Sequence, residues 1–508
     1  MSSNRGRWMA LIAALLGWMF DGFEMGLFPV VSNPALRDLL HIVGTPGAED
    51  KALIAQWNGL AIAGFLIGAA TGGVLFGWLG DRLGRVRAMT VSILTYALCS
   101  GLAAFTTHPW QIVAVRFIAA LGMGGEWSLG VALVMEIWGG RSRALLAGVI
   151  GAAANLGFAV AAVLSFGVAS GRVPAFLNTV ANSTGLPNEW VTHLTANDAW
   201  RMLMLAGMLP AVITFFIMIS VPESESWRQE QKRGATSSWA RRDLLGVLVG
   251  AIAALGILAV WLPQIGVSPA IRLILTAAAL IVVIGGYLYP VFRYMGRSAQ
   301  TPEFRRQTLT RMGLGACLSG IALLGTWGSI QWATNWVDLF PGRPADAKQW
   351  TQFWSAMGAV VSTAIAPFVC EWLGRRITYA VLCVAAFAAT VFFYQGGARY
   401  DSYFLFRVFL GGAFSATFYG FLPLYLPELF ATRVRATGQG FSYNFGRIIA
   451  AIGALQTGAL TGWVQSVELA SWMDKGIPAA CTLLSLVYFV GVAIIWLAPE
   501  TKGKPLPE

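Results

Sequence analysis

Long apolar stretches, separated by short polar segments, run through nearly the whole chain. A helix that spans a bilayer needs about 20 predominantly apolar residues, and these stretches are long enough. The pattern predicts an all-α polytopic membrane protein with fourteen spanning helices, near residues 8–31, 56–79, 88–107, 110–136, 144–168, 200–221, 244–264, 269–292, 312–337, 351–370, 377–396, 402–427, 437–462 and 476–498.

The fourteen helices fall into groups of six, two and six. An amino-terminal six-helix bundle covers 1–221, and a carboxy-terminal six-helix bundle covers 312–508. Between them, 222–311 is a cytoplasmic connector that carries two inserted helices, at about 244–264 and 269–292. Because an even number of helices is inserted, the second bundle keeps the orientation of the first.

The composition excludes a soluble protein. Of the 508 residues, 56% are hydrophobic and only 12% are charged, whereas a soluble domain carries roughly 25% charged residues. The five cysteines all lie in apolar runs, so no disulfide framework is predicted.

The net charge of +11 reflects membrane topology. Lys and Arg are concentrated in the segments on one side of the predicted membrane, which the positive-inside rule assigns to the cytoplasm. Both termini are therefore predicted to be cytoplasmic, and no nucleic-acid partner is needed to explain the basic charge. Contact with anionic lipids is an alternative role for the basic segments beside the inserted helices.

One short turn between the second and third predicted helices carries an unusual number of charges and glycines. Residues 77–87 read GWLGDRLGRVR, with an apolar run on each side. Glycine lets backbones approach closely and turn sharply, and an aspartate there can pair with arginines or with a helix end. The candidate gating residues in this turn are Gly77, Asp81, Arg82, Gly84 and Arg85.

The same charges return about 290 residues later in the chain. Glu371, Gly374 and Arg375 repeat the turn, Arg407 repeats Arg116, and Glu428 and Arg435 repeat Glu136 and Arg143. Matched charges at a near-constant shift indicate two related halves, an arrangement typical of transporters.

These motifs resemble those of the major facilitator superfamily. The turn at 77–87 is similar to its signature loop, and 116–127 (RFIAALGMGGEW) is similar to its fourth helix. Pro222-Glu223-Ser224 and Pro499-Glu500-Thr501 resemble closing motifs of the sugar-porter clan. The resemblance implies a major facilitator fold, alternating access, and an inner charge network formed by Glu136, Arg143, Glu428 and Arg435. Pro367 replaces a glycine of the pattern, so we expect the second turn to be the weaker latch.

The subfamily resemblance is to sialate:proton symporters and to related carboxylate:proton symporters. It rests on Asp21-Gly22-Phe23-Glu24, on Gly124-Gly125-Glu126-Trp127, and on fourteen helices instead of twelve. The run from Tyr443 to Arg447 also resembles carboxylate-type members. The resemblance implies a symporter driven by protons.

Four ionisable residues in the first and fourth helices are candidate proton-coupling groups: Asp21, Glu24, Arg116 and Glu126. Such residues are costly in a membrane and tend to face a cavity or each other. Counted at 1.5 Å per residue, Asp21 and Arg116 both lie roughly 10 Å below the outer edge of the bilayer core. We therefore expect these two to pair, either as a proton switch or as a static salt bridge, with Glu24 as an alternative proton carrier. Glu126 is a second proton site, a substrate ligand or a structural hydrogen-bonding group.

Arg447 is predicted to lie near the membrane midplane, where carriers bind substrate. A guanidinium can hold a carboxylate in two parallel hydrogen bonds, although a structural ion pair is the alternative. Tyr443 and Asn444 lie one turn earlier on the same face. Amide and indole groups suited to hydroxyls add the remaining substrate-binding candidates, for which core packing is the alternative: Trp327, Gln331, Asn335 and Asn155.

The residues favour a proton-coupled symporter of a small organic anion, such as a sialate-like acidic sugar or a monocarboxylate. A porter of a neutral sugar or other small metabolite is the alternative, and a nutrient receptor with the same fold is a third hypothesis. The sequence offers no enzyme motif, since its three histidines lie in predicted external loops. We expect a monomer in a bacterial inner membrane, with no cofactor and with the proton gradient as the driving force.

Overall fold

The computed structural model describes residues 4–44, 46–138, 142–219, 221–261, 265–298, 300–468 and 471–507, and every regular element in these ranges is helical. The amino-terminal half contains α1 (Asn4–Leu39), α2 (Ala48–Leu83), α3 (Arg85–Leu102), α4 (Pro109–Ile137), α5 (Ser142–Ala169), α6 (Arg172–Ser183) and α7 (Asn188–Ile219). The connector contains α8 (Glu225–Lys232), α9 (Leu244–Val260) and α10 (Pro269–Arg297). The carboxy-terminal half contains α11 (Pro302–Trp327), α12 (Ala333–Val337), α13 (Ala347–Leu373), α14 (Arg375–Tyr394), α15 (Ser402–Ala416), α16 (Phe418–Glu428), α17 (Arg435–Ser466), α18 (Ile477–Ser485) and α19 (Val487–Ile494). Short 3₁₀ turns lie at Ala103–Phe105, Ala235–Ser238, Arg241–Asp243, Ile330–Trp332, Thr432–Val434 and Ile495–Leu497.

Twelve helical segments of the described residues are long and apolar enough to span a membrane. Two more long helices, α7 and α17, occupy the places of the predicted sixth and thirteenth spans but are not among the twelve. The all-helical fold is therefore as predicted, while the total of fourteen spans stays a prediction.

The polar segment 169–199, which we expected to be a loop, is largely helical. It forms α6 and the first two turns of α7. Val173, Leu177 and Ala181 recur every fourth residue and make an apolar stripe on α6, and Leu177 and Ala181 are buried. The chain then leaves helical geometry at Ala196–Ala199 before α7 continues.

Three of the predicted carboxy-terminal spans are interrupted. The span predicted at 312–337 breaks after Trp327, where Ser329 has non-helical backbone angles and Ile330 begins a short 3₁₀ turn. The span predicted at 402–427 breaks between α15 and α16, and the last breaks between α18 and α19. Irregular backbone within a membrane is tolerated where it is buried or lines a cavity. Accordingly, the freed Ser329 carbonyl accepts a hydrogen bond from the Tyr394 hydroxyl at 2.7 Å.

Each half is a bundle, and the two halves meet along two seams. Within the halves, α2 packs on α4, α1 on α5, α11 on α17 and α13 on α15. Between the halves, α2 packs on α17, and α5 packs on α13. The inserted helices α9 and α10 form an antiparallel pair beside the α2–α17 seam.

The two ends of the molecule differ. We call the end that carries the Asp81 turn the inner end and the opposite end the outer end. The first and last described segments both reach the inner end: Trp8 contacts Trp138 at the inner end of α4, and Arg435 donates to the Pro507 carbonyl at 2.6 Å. The bundle is thus closed at the inner end.

Candidate functional site

A cavity of about 940 Å³ lies between the two halves. It extends toward the outer end, where Asn33, Asp338 and Lys348 line its mouth. The breaks after α11 and α15 both border it. The cavity wall also includes several residues that the sequence predicts as functional: Asp21, Arg116, Asn155, Trp327, Gln331, Asn335, Tyr443 and Arg447.

An aromatic stack joins the halves at the buried end of the cavity. The Trp127 ring on α4 lies parallel to the Tyr443 ring on α17, with centroids 3.5 Å apart. The guanidinium of Arg447 lies 5.3 Å from the centroid of the same Tyr443 ring. The sequence names Trp127 only as part of a motif, and its role in the stack depends on helix packing between the halves.

Arg447 is buried, with only 7% of its surface exposed, and it forms part of the cavity wall. Among the ion pairs of the described residues, none joins Arg447 to a carboxylate, although the charge of Arg447 acts on nearby Asp21. Burying a guanidinium without a paired anion is costly. The arrangement therefore favours an anion beside Arg447 when the cavity is occupied.

The expected pair between Asp21 and Arg116 is corrected by the structure. Arg116 pairs with Glu24 at 3.1 Å, and the guanidinium lies 3.6 Å from the centroid of the Phe28 ring. The sequence arithmetic located Asp21 and Arg116 at equal depth but ignored the tilt of α1 and the direction of each side chain. A shift of one helical turn is enough to exchange Asp21 for Glu24.

Asp21 instead faces Glu126 on α4. The two carboxyl groups are near enough for the charge of one to act on the other. Glu126 is fully buried, and no donor from another described residue reaches either of its oxygens. Two carboxylates that lie close together repel each other unless one of them holds a proton. Together they therefore form a site that can hold a proton between α1 and α4, beside the cavity.

The predicted amides separate into two groups. Asn155, Gln331 and Asn335 line the cavity. Asn444 does not, which corrects its assignment as a substrate-binding candidate: its amide donates to the Gly124 carbonyl of α4 at 3.2 Å and to Gly440 at 3.0 Å. Its position on α17 turns it toward the other half, where it holds the halves together.

The Asp81 turn locks the two halves at the inner end. The Asp81 carboxylate accepts hydrogen bonds from the backbone N–H of Thr437 at 2.8 Å and its hydroxyl at 2.6 Å. Asp81 thus caps the start of α17, where a negative charge is favourable. Gly77 allows this approach, because a Cβ there would lie 2.7 Å from the Ala436 carbonyl oxygen.

A buried charge network extends this inner latch. Arg85 pairs with Asp81 at 2.7 Å and with Glu136 at 3.1 Å. Glu136 reaches across the halves to Arg435 at 2.9 Å. The guanidinium of Arg82 stays within its own helix, 5.0 Å over the Trp78 ring.

The repeat of the turn in the carboxy-terminal half is less complete. Arg375 pairs with Glu371 at 2.7 Å and with Glu428 at 2.8 Å, and the charge of Arg143 acts on Glu428 from the other half. However, the Glu371 side chain is 46% exposed, and no bond from it to the amino-terminal half is found among the described residues. This asymmetry agrees with the expectation that the second turn is the weaker latch.

The two closing motifs have equivalent contacts that the sequence did not predict. Glu223 accepts from the backbone N–H of Arg85 at 2.9 Å, just after Gly84, whose φ of 111° favours glycine. Glu500 accepts in the same way from Arg375 at 3.1 Å, after Gly374 with φ of 89°. Burial raises the pKa of Glu223. Glu500 is less buried, and its four backbone N–H donors outweigh burial and lower its pKa.

Arg407 does not repeat the role of Arg116. Its guanidinium donates to the carbonyls of Phe393 at 2.8 Å and Gly397 at 3.0 Å, at the outer end of α14. A cation at a helix carboxy terminus is favourable. Arg407 therefore has a structural contact within its own half, and a gating role for it stays a prediction.

The fold and site together define a class: two related helical bundles around a central cavity, closed at one end by interlocking charges, which is the architecture of secondary carriers. The profile described as "Major Facilitator Superfamily" matches residues 7–340, and that described as "Sugar (and other) transporter" matches residues 343–508. The chain belongs to the major facilitator superfamily, a family of membrane transporters.

Similar proteins cover the chain over nearly its full length. A Haemophilus influenzae protein described as "Putative metabolite transport protein" is 25% identical over 99% of this chain and 98% of its own. "Inorganic phosphate transporter 1-4" of Arabidopsis thaliana is 23% identical over 98% of this chain and 92% of its own. In fold, the chain is similar to the proton:xylose symporter XylE, with a TM-score of 0.65 and 16% identity over 99% of this chain and 98% of the other.

Proposed function

We propose that this transporter carries a small organic anion, such as a sialate-like acidic sugar or a monocarboxylate, together with protons. The observation that carries the proposal is Arg447: a buried guanidinium in the wall of the central cavity, next to a pair of carboxyl groups. A substrate carboxylate supplies the anion that this guanidinium needs, in two parallel hydrogen bonds.

The geometry suggests how binding and proton uptake are coupled. In the empty cavity, the negative charge on the Asp21–Glu126 pair lies in the field of Arg447. An arriving substrate carboxylate takes over Arg447 and brings a second negative charge close to the acids. Like charges at short range disfavour ionisation, so the pair takes up a further proton. The cavity then holds a neutral combination that can cross with the moving halves.

The names of two relatives agree with an anionic substrate. Inorganic phosphate, in the name of the Arabidopsis thaliana relative, is an anion at neutral pH. A Cupriavidus pinatubonensis protein described as "Probable 4-methylmuconolactone transporter" is 25% identical over 97% of this chain and 90% of its own, and 4-methylmuconolactone carries a carboxylic acid that is ionised at neutral pH. The alternative, a porter of a neutral sugar or other small metabolite, is favoured by the amides of Asn155, Gln331 and Asn335 in the cavity wall, since amides bind hydroxyl groups well.

A thermal-shift screen of the purified protein separates the two candidates. The ligands are sialate, lactate, pyruvate, hexuronates, 4-methylmuconolactone, inorganic phosphate and neutral hexoses. Specific binding raises the melting temperature by mass action. Stabilisation by one of the organic acids, and uptake of that acid into proteoliposomes driven by an imposed pH gradient, is the expected result. Stabilisation by a hexose alone would replace the anion proposal with the neutral one.

We further propose that the inner end faces the cytoplasm of a bacterial inner membrane, with a monomer as the functional unit and the proton gradient as the driving force, without a cofactor. Charge bias supports this orientation. Cysteines introduced one at a time at Gly266 and Ala235 test it in intact cells. A membrane-impermeant maleimide is expected to label residue 266 and not residue 235, and the reverse pattern would invert the topology.

A further inference from the structure

The inserted hairpin α9–α10 lies where the two halves move against each other. It packs mainly on α2 of the amino-terminal half, and α10 also touches α17 of the carboxy-terminal half. Its buried residues, among them Ile257, Val283 and Tyr287, belong to the same hydrophobic cluster as the bundles. The hairpin is therefore part of the core of the carrier.

A buried hydrogen bond attaches the hairpin to the amino-terminal half. The hydroxyl oxygens of Thr71 on α2 and Tyr287 on α10 are 2.6 Å apart. The Thr71 hydroxyl also donates to the Ile67 carbonyl at 2.9 Å, so its single hydrogen is in use and Tyr287 is the donor to Thr71. Both residues are buried, and breaking such a bond leaves unsatisfied polar groups in an apolar region.

The outer end of the hairpin reaches the cavity itself. Trp261, directly after α9, lines the cavity wall. Its indole N–H donates to the Thr276 hydroxyl of α10 at 3.1 Å, and the Arg272 guanidinium lies 5.5 Å from the ring. Two contacts from α10 thus hold the ring of Trp261 in place. The hairpin thus contributes a side chain to the wall of the cavity.

The inner end of the hairpin is held to the connector. Tyr294 stacks on Trp239 with ring centroids 4.1 Å apart, and Arg297 pairs with Asp243. The charge of Asp81 in the inner latch acts on Tyr294. The middle of α10 is thus attached to α2 through Tyr287, and its inner end is attached to the connector that directly follows the amino-terminal half.

We propose that the α9–α10 hairpin is a third wall of the transport cavity, which moves with the amino-terminal half and places Trp261 in the outer access path of the substrate. The hairpin slides over α17 when the halves rock, and it covers the α2–α17 seam against lipid. This role depends on the hairpin contacts and is independent of which substrate is carried.

Distances between spin labels test the shared movement without a substrate. Three exposed residues near the outer end serve as labelling positions: Leu98 on α3, Phe406 on α15 and Ile274 on α10. In a cysteine-free background, cysteines are introduced at two of these positions at a time, and a spin label is attached to each cysteine. The double variant Asp81→Asn with Arg435→Gln releases the inner latch, so the Leu98–Phe406 distance is expected to change. The Ile274–Leu98 distance should stay constant, while the Ile274–Phe406 distance changes. A constant Ile274–Phe406 distance with a changing Ile274–Leu98 distance would overturn the proposal.

The hydrogen bond between Tyr287 and Thr71 can be tested with a matched control variant on the same helix. Tyr287→Phe removes the bond to Thr71 and is expected to broaden the Ile274–Leu98 distance distribution. Tyr289→Phe removes a hydroxyl from a partly exposed residue two positions away and should leave the distribution unchanged. Equal distributions for the two variants would contradict attachment through Tyr287.

A quenching experiment tests the place of Trp261 independently of any movement. A fluorophore attached to Trp261→Cys should be quenched by iodide from the outer solution, because the residue lines the open cavity. The same fluorophore on Ile274→Cys, which is 67% exposed toward the predicted lipid, should be protected. A protected label at position 261 would remove Trp261 from the access path.

Discussion

The charge preference of the cavity depends on Arg447, and substitution of this residue is the sharpest test of the proposed function. Arg447→Lys keeps the positive charge but loses the planar group that can donate two parallel hydrogen bonds to a carboxylate. Arg447→Gln also removes the charge. Because Arg447 lies in the cavity wall and its ring contact is with Tyr443, neither change leaves a buried acid in an ion pair without its partner.

The expected loss of binding free energy is large because Arg447 is buried, with 7% of its surface exposed. A hydrogen bond to a charged group contributes about 1.5–3 kcal/mol. The lysine variant loses one such bond, which weakens binding of the anion roughly 10- to 100-fold, since 1.4 kcal/mol corresponds to a factor of ten. The glutamine variant should lose more of its affinity for the anion, because a neutral amide interacts with a carboxylate more weakly than a cation does.

Binding of the acid found in the screen, and of its neutral amide, is measured by calorimetry for the parent and both variants. The acid should weaken strongly and the amide little. Arg407→Lys is the matched control, since Arg407 is an equally buried arginine that contacts backbone carbonyls away from the cavity. Equal losses for acid and amide would refute the reasoning and would make Arg447 a structural residue.

Three more predictions follow from other contacts of the described residues. Asp21→Asn should abolish accumulation driven by a pH gradient but leave substrate exchange in proteoliposomes, because an amide keeps the shape and cannot carry the proton; normal accumulation by this variant, with loss in Glu24→Asn, would assign proton transfer to Glu24. Asp81→Asn weakens the hydrogen bonds to Thr437, so a cysteine that replaces Val434, which is buried directly before α17, should react faster with a maleimide added at the inner end, and an unchanged rate would contradict the latch. Glu500→Gln should lower the melting temperature at pH 7: the folded state depresses the pKa of Glu500, so its stabilisation is present above the ordinary value of about 4.3 and is lost as the pH falls through the lower folded value. The difference between parent and variant should therefore vanish in acid, and a constant difference would exclude the charge of Glu500 as its cause.

The sequence was sufficient for the arrangement of helices and for the residues of the inner network. Apolar runs of membrane-spanning length mark α4, α5 and α14 to within about two residues at each end, because the bilayer sets the minimum length of a spanning helix, whereas α1 and α2 extend about eight residues beyond the predicted outer ends of their spans. The repeated charges predict the partners of Arg85 and Arg375 within their own turns, since each partner lies four residues away, one helical turn along the same face.

The contacts of the cavity were harder to predict, because they depend on helix rotation and tilt. Asp21 and Glu24 are three residues apart and differ by one turn in depth, so counting residues cannot decide which of them meets Arg116. Asn444 follows Tyr443 directly, yet a rotation of about 100° per residue turns it from the cavity to α4. The position of the inserted hairpin depends on Thr71 and Tyr287, which carry no sequence pattern that links them.

The unequal distribution of charge between the two halves is what the proposed coupling of proton and anion requires. Asp21 and Glu126, which we propose to bind the proton, lie in the amino-terminal half, and Arg447 lies in the carboxy-terminal half. If both lay in one half, their interaction would be the same in every conformation, and neither proton nor anion could bias the movement. The Trp127–Tyr443 stack and the electrostatic interaction between Asp21 and Arg447 both join the two halves. The free-energy difference between conformations of the two halves therefore depends on the protonation of the acids and on whether an anion is bound to Arg447. The two halves therefore keep repeated charge clusters at the inner end and differ toward the outer end, where Arg407 does not match Arg116.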